Sequence, residues 1–278
     1  MLAEFFGFRV LPFSKEIPTT DLFPCAQHQE LLARLQYCVR HRAFGLITGE
    51  VGSGKTTAIR TLYDLLDRSR NPFVYIADSK LTPTAFYRDV LTQLGVAAPY
   101  HFLSREARRL FEQTILDGYR LHGLQPVIVL DEAHLLPHAM LQEVRFLLNF
   151  HLDSACPMTF LLVGQSELRG MLRLRTFEAI AHRVQVRYHL GPLSEEESVA
   201  YIRHHLRRTG VDHDIFSEQA LQKIAAESRG LPRVINTLCT NCLLDACSRE
   251  QRFVDEANVD RVLFELQDLQ TAKGSSPW

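Results

Sequence analysis

The chain has 278 residues, of which 46% are hydrophobic and 23% charged, enough for a substantial core and too apolar for general disorder. Its formal net charge of −1 excludes a global basic field, so any nucleic-acid site has to be a local patch. No apolar run approaches the ~20 residues of a membrane span, and the start "MLAEFFGFRVLPF" lacks the charged region and cleavage site of a signal peptide.

Of the 31 basic residues, 26 are Arg and 5 are Lys. The guanidinium fork suits planar phosphate and subunit contacts. Six cysteines in a chain read as cytoplasmic are expected as free thiols. No internal repeat interrupts the sequence, and only the last few residues, "KGSSPW", read as disordered.

In chain order, "AFGLITG" (43–49) is a short apolar run that ends at a glycine loop, hence a buried strand. Ile59, Leu62, Leu65 and Leu66 then recur at helical spacing. "FVYIAD" (73–78) is a second strand. "TPTAFYRDVLTQLG" (82–95) is a helix with Pro83 in its first turn and Gly95 at its end. Another helix spans 104–123, with Ser104 as N-cap. "PVIVLDEAH" (126–134) is a third strand, apolar until it meets two carboxylates, and 138–150 is helical. "MTFLLVGQ" (158–165) and "VQVRYHLGPLS" (184–194) supply a fourth and a fifth strand. Such alternation implies a parallel sheet with helices on both faces.

Beyond about residue 191 the pattern is helical only. Ser194 and Glu197 form a capping box, and Val199, Ile202 and Leu206 share one face of the helix that follows. Further helices are expected over 217–230, 231–250 and 255–270. The expected organisation is an αβα nucleotide-binding domain over 1–191, including the N-terminal segment, and a helical domain over 192–278.

The chemistry starts at "GEVGSGKTT" (49–57). Gly49, Gly54, Lys55 and Thr56 match the Walker A pattern G-x-x-x-x-G-K-[ST], here between a strand and a helix as the motif requires. Backbone N–H groups of Glu50, Val51, Gly52, Ser53, Gly54 and Thr57 are expected to converge on phosphate oxygens, helped by the N-terminal end of the next helix. Lys55 is expected to neutralise the β/γ-phosphates of ATP, and Thr56 to ligate Mg²⁺. Asp131 emerges at the C-terminal end of the third strand, where open α/β sheets bind ligands, and is expected to hold Mg²⁺ through water. Glu132 follows as the group that polarises the attacking water. Asp131-Glu132-Ala133-His134 also spells the tetrad of certain helicases, but those need a second RecA-like lobe, and the segment after 191 is small and helical. Cys239-x-x-Cys242 has zinc-ligand spacing. It lies within one predicted helix among Leu238, Leu243 and Leu244, with no second ligand pair, so packing thiols are expected.

Six pieces in order, "EFFGFRVLPFS", "LITGEVGSGKTT", "VIVLDEAHLL", "FLLVGQSEL", "HRVQVRYHLGPLSEEE" and "SRGLPRVINTLC", resemble the AAA+ ATPases over nearly the full chain, and more narrowly the ExeA-like group. The resemblance implies an AAA+ αβα sandwich followed by a small helical lid. It implies that Gln165, at the end of the fourth strand, is a sensor of the γ-phosphate, with a Gln in place of the commoner Asn. Arg183, before the fifth strand, stands where related ATPases keep an arginine finger that reaches into a neighbour's site, with Arg169, Arg173 and Arg175 as competitors. Arg233 in "GLPR" matches the second sensor, and Phe13 is a candidate for the adenine pocket, whereas Phe5, Phe6 and Phe8 read as core.

The same core resembles the transposition regulators TnsC, TniB and MuB. ExeA-type proteins typically continue into a membrane segment and a peptidoglycan-binding domain, which this sequence does not contain. The resemblance therefore implies a cytoplasmic accessory ATPase of transposition. It is expected to assemble with ATP on double-stranded DNA as a ring or helical filament of six or more subunits per turn and to recruit a transposase or target-selection protein. The alternative is an ExeA-type secretion ATPase that acts on a protein partner. Lys80, Thr82, Arg88, Arg105, Arg108 and Arg109 are the candidate contacts to DNA phosphates, without sequence readout.

Overall fold

The computed structural model describes residues 2–99, 103–147 and 156–271, beyond 266 as backbone only. The tail "KGSSPW" and residues 148–150 of the predicted 138–150 helix lie outside the described residues. In chain order, α1 (Leu2–Phe6) and α2 (Ala26–His41) precede β1 (Phe44–Gly49). Then come α3 (Lys55–Leu65), β2 (Phe73–Ile76), α4 (Pro83–Gln93), α5 (Ser104–His122) and β3 (Val127–Leu130). α6 (His138–Leu147), β4 (Thr159–Gly164), α7 (Glu167–Leu172), α8 (Glu178–Arg183) and β5 (Val186–Leu190) follow. The chain ends in α9 (Glu195–Arg207), α10 (Glu218–Glu227), α11 (Pro232–Ser248) and α12 (Glu256–Thr271). It divides into two compact units. One holds residues 26–50 and 55–190; the other gathers 1–25, 51–54 and 191–278.

In the first unit the strands form one parallel sheet in the order β2-β3-β4-β1-β5. Alternation along each strand sends neighbours to opposite faces. In β3, Ile128 and Leu130 join the core that contains Phe86, Phe111 and Met140, while Val127 and Val129 join the core of Leu31, Leu35, Ile59 and Leu62. Burial on both faces is why β1, β3 and β4 read as unbroken apolar runs. Close packing is visible at Gly45 of β1, where an added Cβ would stand 2.7 Å from Leu161 and 3.1 Å from Cys38 Sγ.

Helix starts follow local chemistry. Thr82 caps α4 by accepting the Ala85 N–H at 3.2 Å, with Pro83 in the first turn. Ser104 is the first residue of α5 and not its cap. Leu103 holds the cap position without a side-chain acceptor, and Glu106 accepts the Leu103 N–H at 2.9 Å. Ser194 and Glu197 make the reciprocal capping box of α9.

The helical unit has its own core, built from Ile202, Leu221, Ile224, Ile235, Leu238, Val259 and Val262. The N-terminal segment, expected with the nucleotide-binding domain, packs instead with this unit. Phe6 and Phe8 are buried in its core with rings stacked, and the Arg9 N–H donates to the Thr209 carbonyl at 2.9 Å. The physical reason is the aromatic payload of α1, which has an apolar helical surface to cover. Phe13 stacks on His205 with ring centroids 5.7 Å apart. Cys239 and Cys242 are buried in the same core, and burial pushes the Cys242 thiol up to about 12 and the Cys239 thiol well above its usual range. Those thiols pack as small apolar groups. Burial would raise the Asp245 carboxyl on α11, but hydrogen bonds from Arg261, Asn258 and Arg249 outweigh it and hold the group at about 2.

Candidate nucleotide-binding site

Parallel pairing aligns the C-terminal ends of β1, β3 and β4 along one edge of the sheet. Three functional stretches leave from that edge: the glycine loop after β1, Asp131-Glu132 after β3 and Gln165 after β4. Gly52 and Gly54 have φ of +82° and +105°, which glycine adopts without penalty. Gly52 has a second reason to be glycine, because an added Cβ would meet Arg233 Cβ at 2.5 Å. The Arg233 N–H, one of the free donors at the start of α11, bonds the Gly52 carbonyl at 3.3 Å.

Lys55 opens α3 and is 7% exposed. Its Nζ donates to the carbonyls of Gly49 and Glu50 at 2.8 and 2.9 Å. Thr56 donates its hydroxyl to Asp131 Oδ2 at 3.1 Å, bringing the two motifs into contact across 75 residues of chain. Asp131 is 3% exposed, and its other oxygen accepts the Glu132 N–H at 2.8 Å. Glu132 sits in the left-handed region at φ 52°, an uncommon conformation for a residue with a side chain, and that side chain is 44% exposed. One carboxylate is therefore fixed and the next one is open to solvent.

The donor set fits nucleotide and metal. Ser53 Oγ is buried without a hydrogen-bond partner among the described residues, as expected of a loop hydroxyl built to meet a ligand. Thr56 Oγ1 and Asp131 Oδ2 are hard oxygens suited to Mg²⁺.

Other contacts escape sequence reasoning. Tyr75 on β2 donates its phenol to Asp131 Oδ2 at 2.6 Å. Burial, reinforced by the Asp131 and Glu132 carboxylates, pushes the phenol well above its ordinary range, so it stays a donor. Ser166 donates to Glu50 Oε1 at 2.7 Å, tying the start of the glycine loop to the residue after Gln165. His134 Nδ1 accepts the Gln165 N–H at 3.3 Å. That nitrogen cannot also donate to Glu132 Oε2, 3.6 Å away, while the ring is neutral, so the approach is no ion pair in that state.

Arg183 is half-buried, with its guanidinium donating to the Arg145 carbonyl at 2.7 Å. Arg169, Arg173 and Arg175 are exposed. Arg169 and Arg173 line a cavity of about 280 Å³ together with Thr48, Arg187, Tyr188 and His189; Lys55, Thr56, Asp131 and Glu132 are not part of its lining. Among the DNA candidates, Lys80, Arg105 and Arg109 are exposed and Arg88 is half-buried. Thr82 is exposed, and its hydroxyl accepts the Ala85 N–H as the cap of α4. Arg108 pairs with Glu112 at 2.8 Å, lies 3.7 Å from Glu143 and covers the Phe146 ring.

A parallel sheet in this order, with a glycine loop after β1, an Asp-Glu pair after β3 and β4 between the two, is the AAA+ P-loop ATPase fold. A family model described as an AAA domain matches residues 39–172. The chain is 33% identical over 275 residues to the General secretion pathway protein A of Aeromonas hydrophila, covering 97% of this chain and 49% of that protein. It thus spans about half the length of that relative. Similar solved structures include Cdc6p from Pyrobaculum aerophilum (TM-score 0.71, 20% identity, 91% of this chain and 70% of that one). Drosophila ORC bound to DNA is another (TM-score 0.73, 18% identity, 99% and 69%). Among the described residues no helix is long and apolar enough to cross a membrane.

Proposed function

We propose that this chain is a Mg²⁺-dependent ATPase that hydrolyses ATP to ADP and phosphate within a homo-oligomer. The observation that carries the reading is the contact between Thr56 and the buried Asp131, beside a buried Lys55 and an open Glu132. Lys55 neutralises phosphate charge, and the loop N–H groups of 50–57 orient the phosphates. Thr56 and Asp131 are the residues that would hold Mg²⁺, which when bound offsets charge on the phosphate oxygens. Glu132 orients and polarises the attacking water. Gln165 and Arg233 report the γ-phosphate, and Arg183 acts across a subunit interface. The test is phosphate release by purified protein with Mg²⁺, with EDTA and with Lys55→Ala. Turnover confined to the first condition is expected, and equal release in all three overturns the reading.

The likeness to General secretion pathway protein A over 97% of the chain favours an ExeA-type ATPase that works on a protein partner. A second reading, a transposition regulator that assembles on double-stranded DNA and recruits a transposase, draws on the exposed Lys80, Arg105 and Arg109. Its fold is also that of Drosophila ORC bound to DNA.

A further inference from the structure

Asp131 is held by three donors. Oδ1 takes the Glu132 N–H, while Oδ2 takes both the Thr56 hydroxyl and the Tyr75 phenol. The phenol makes the shortest of these bonds, 2.6 Å, in the range of strong charge-assisted O–H···O⁻ bonds. We propose that Tyr75 is a positioning residue of the ATPase site, which sets the Asp131 carboxylate for the metal, and that Gln93 braces Tyr75 for this task. The proposal rests on the ATPase reading given above.

The chemistry of the donor matters. A buried carboxylate needs hydrogen-bond donors to satisfy and orient its oxygens. An Arg or Lys there would stabilise the anion but repel the cation it has to bind. A phenol supplies the bond without a charge, which leaves the full negative charge of Asp131 for the metal.

The placement of Tyr75 is also specific. β2 is the edge strand of the sheet, so among the described residues one side of its backbone has no neighbouring strand. Gln93, the last residue of α4, takes that neighbour's place. Its Oε1 accepts the Tyr75 N–H at 3.1 Å and its Nε2 donates to the Tyr75 carbonyl at 3.2 Å. On the inner side Tyr75 pairs with Val129, two residues before Asp131. Residues two apart share a face, so Tyr75 and Asp131 are diagonal neighbours on one side of the sheet. A slip of one residue would send the phenol to the other face. The side-chain amide of Gln93 thus guards the register that the contact with Asp131 requires.

The test is equilibrium binding of a fluorescent non-hydrolysable ATP analogue, titrated with Mg²⁺ and repeated in EDTA. In the wild type, Mg²⁺ is expected to tighten binding. Tyr75→Phe keeps the ring and removes the donor. It should leave the EDTA affinity within about twofold and raise the Mg²⁺ midpoint about tenfold, the usual size of an outer-shell effect on metal affinity. A merely structural tyrosine would lower the melting temperature without moving that midpoint. Gln93→Leu keeps the phenol and frees its strand, so the midpoint should move the same way by less. It decides the matter if Tyr75→Phe does not fold. An unchanged midpoint in the folded variant, against a Mg²⁺-dependent wild type, overturns the role of Tyr75 alone. A wild type whose nucleotide binding ignores Mg²⁺ overturns the ATPase reading and this proposal with it.

Discussion

Lys55 Nζ donates 2.8 Å to the carbonyl of Gly49, the residue at which β1 ends and the glycine loop begins. The ammonium is buried inside the curve of its own loop and held by carbonyl dipoles. Such a cation gains most from a ligand that brings negative charge. The proposed partner is the β/γ-phosphate of ATP.

Binding and cleavage therefore separate by residue. Lys55→Ala should lose nucleotide binding, because no other group at 49–57 carries a positive charge. Glu132→Gln should bind ATP and stall, with turnover down by about 10²-fold or more, the ordinary range for loss of a general base. The check is analogue binding beside phosphate release for each variant. Wild-type turnover in Glu132→Gln removes that residue from the water-activating role.

Arg183 gives a sharper test of assembly. Its guanidinium rests on the Arg145 carbonyl within the same unit, so finger work requires it to leave that contact when a neighbour docks. Turnover per subunit should rise with protein concentration. Arg183→Ala should keep analogue binding and lose turnover, and mixing it with Lys55→Ala should restore part of it. Failure of rescue at every mixing ratio, with both variants folded and assembling, transfers the role to the exposed Arg173 or Arg169, which the same mixing assay ranks.

The strands that frame the site were legible because burial on both faces forces continuous apolar runs, and β1 and β3 stop where the motif residues begin. The αβα order and the late helices followed from periodicity and from the Ser194 cap. α2 is poorly marked in the sequence, although Leu31, Leu35, Cys38 and Val39 form its buried stripe. A helix without a cap residue or an acidic first turn announces itself poorly. α7 and α8 have six residues each, too few to establish a period. Tyr75 was invisible for a different reason. Its contact with Asp131 depends on which residue of β2 faces which residue of β3, and no local pattern encodes that register. The packing of the N-terminal segment with the helical unit is a long-range fact of the same kind.

The N-terminal segment brings a pH dependence. His205 on α9 donates from Nδ1 to the Pro12 carbonyl at 2.8 Å, since a carbonyl can only accept. Its Nε2 is buried without a partner among the described residues, which suits a neutral ring. Burial pushes the group down to about 4, outweighing the Pro12 bond, and the neighbouring His204 and Arg208 add to the shift. An unfolded histidine titrates near 6.5. The unfolded chain therefore takes up the proton first as pH falls. Stability from this group is complete above about pH 6.5, declines between about 6.5 and 4, and stays level below. The expected loss is on the order of 3 kcal/mol. Denaturant melts of the wild type and His205→Gln across that window should diverge, with the variant flatter. Parallel curves remove His205 as the source.

The structure narrows the set of cations open to DNA. Arg108 is engaged by Glu112 and Glu143 and covers Phe146, so it has little to offer a phosphate. Lys80, Arg105 and Arg109 remain exposed. A subunit with net charge −1 and so few free cations should bind duplex weakly by itself. An oligomer repeats the patch, and multivalency converts weak contacts into measurable binding, so affinity should depend on the ATP analogue that drives assembly. Phosphate contacts release counterions, so affinity should fall steeply with salt and hardly vary with sequence. Lys80→Glu and Arg109→Glu should weaken binding about equally on unrelated duplexes. Arg108→Glu should mainly lower the melting temperature, because it sets a third acid beside Glu112 and Glu143. The measurement is duplex binding with analogue, with ADP and without nucleotide, across a salt series. No binding with the analogue at low salt ends the transposition reading and leaves a protein partner, as the likeness to General secretion pathway protein A favours.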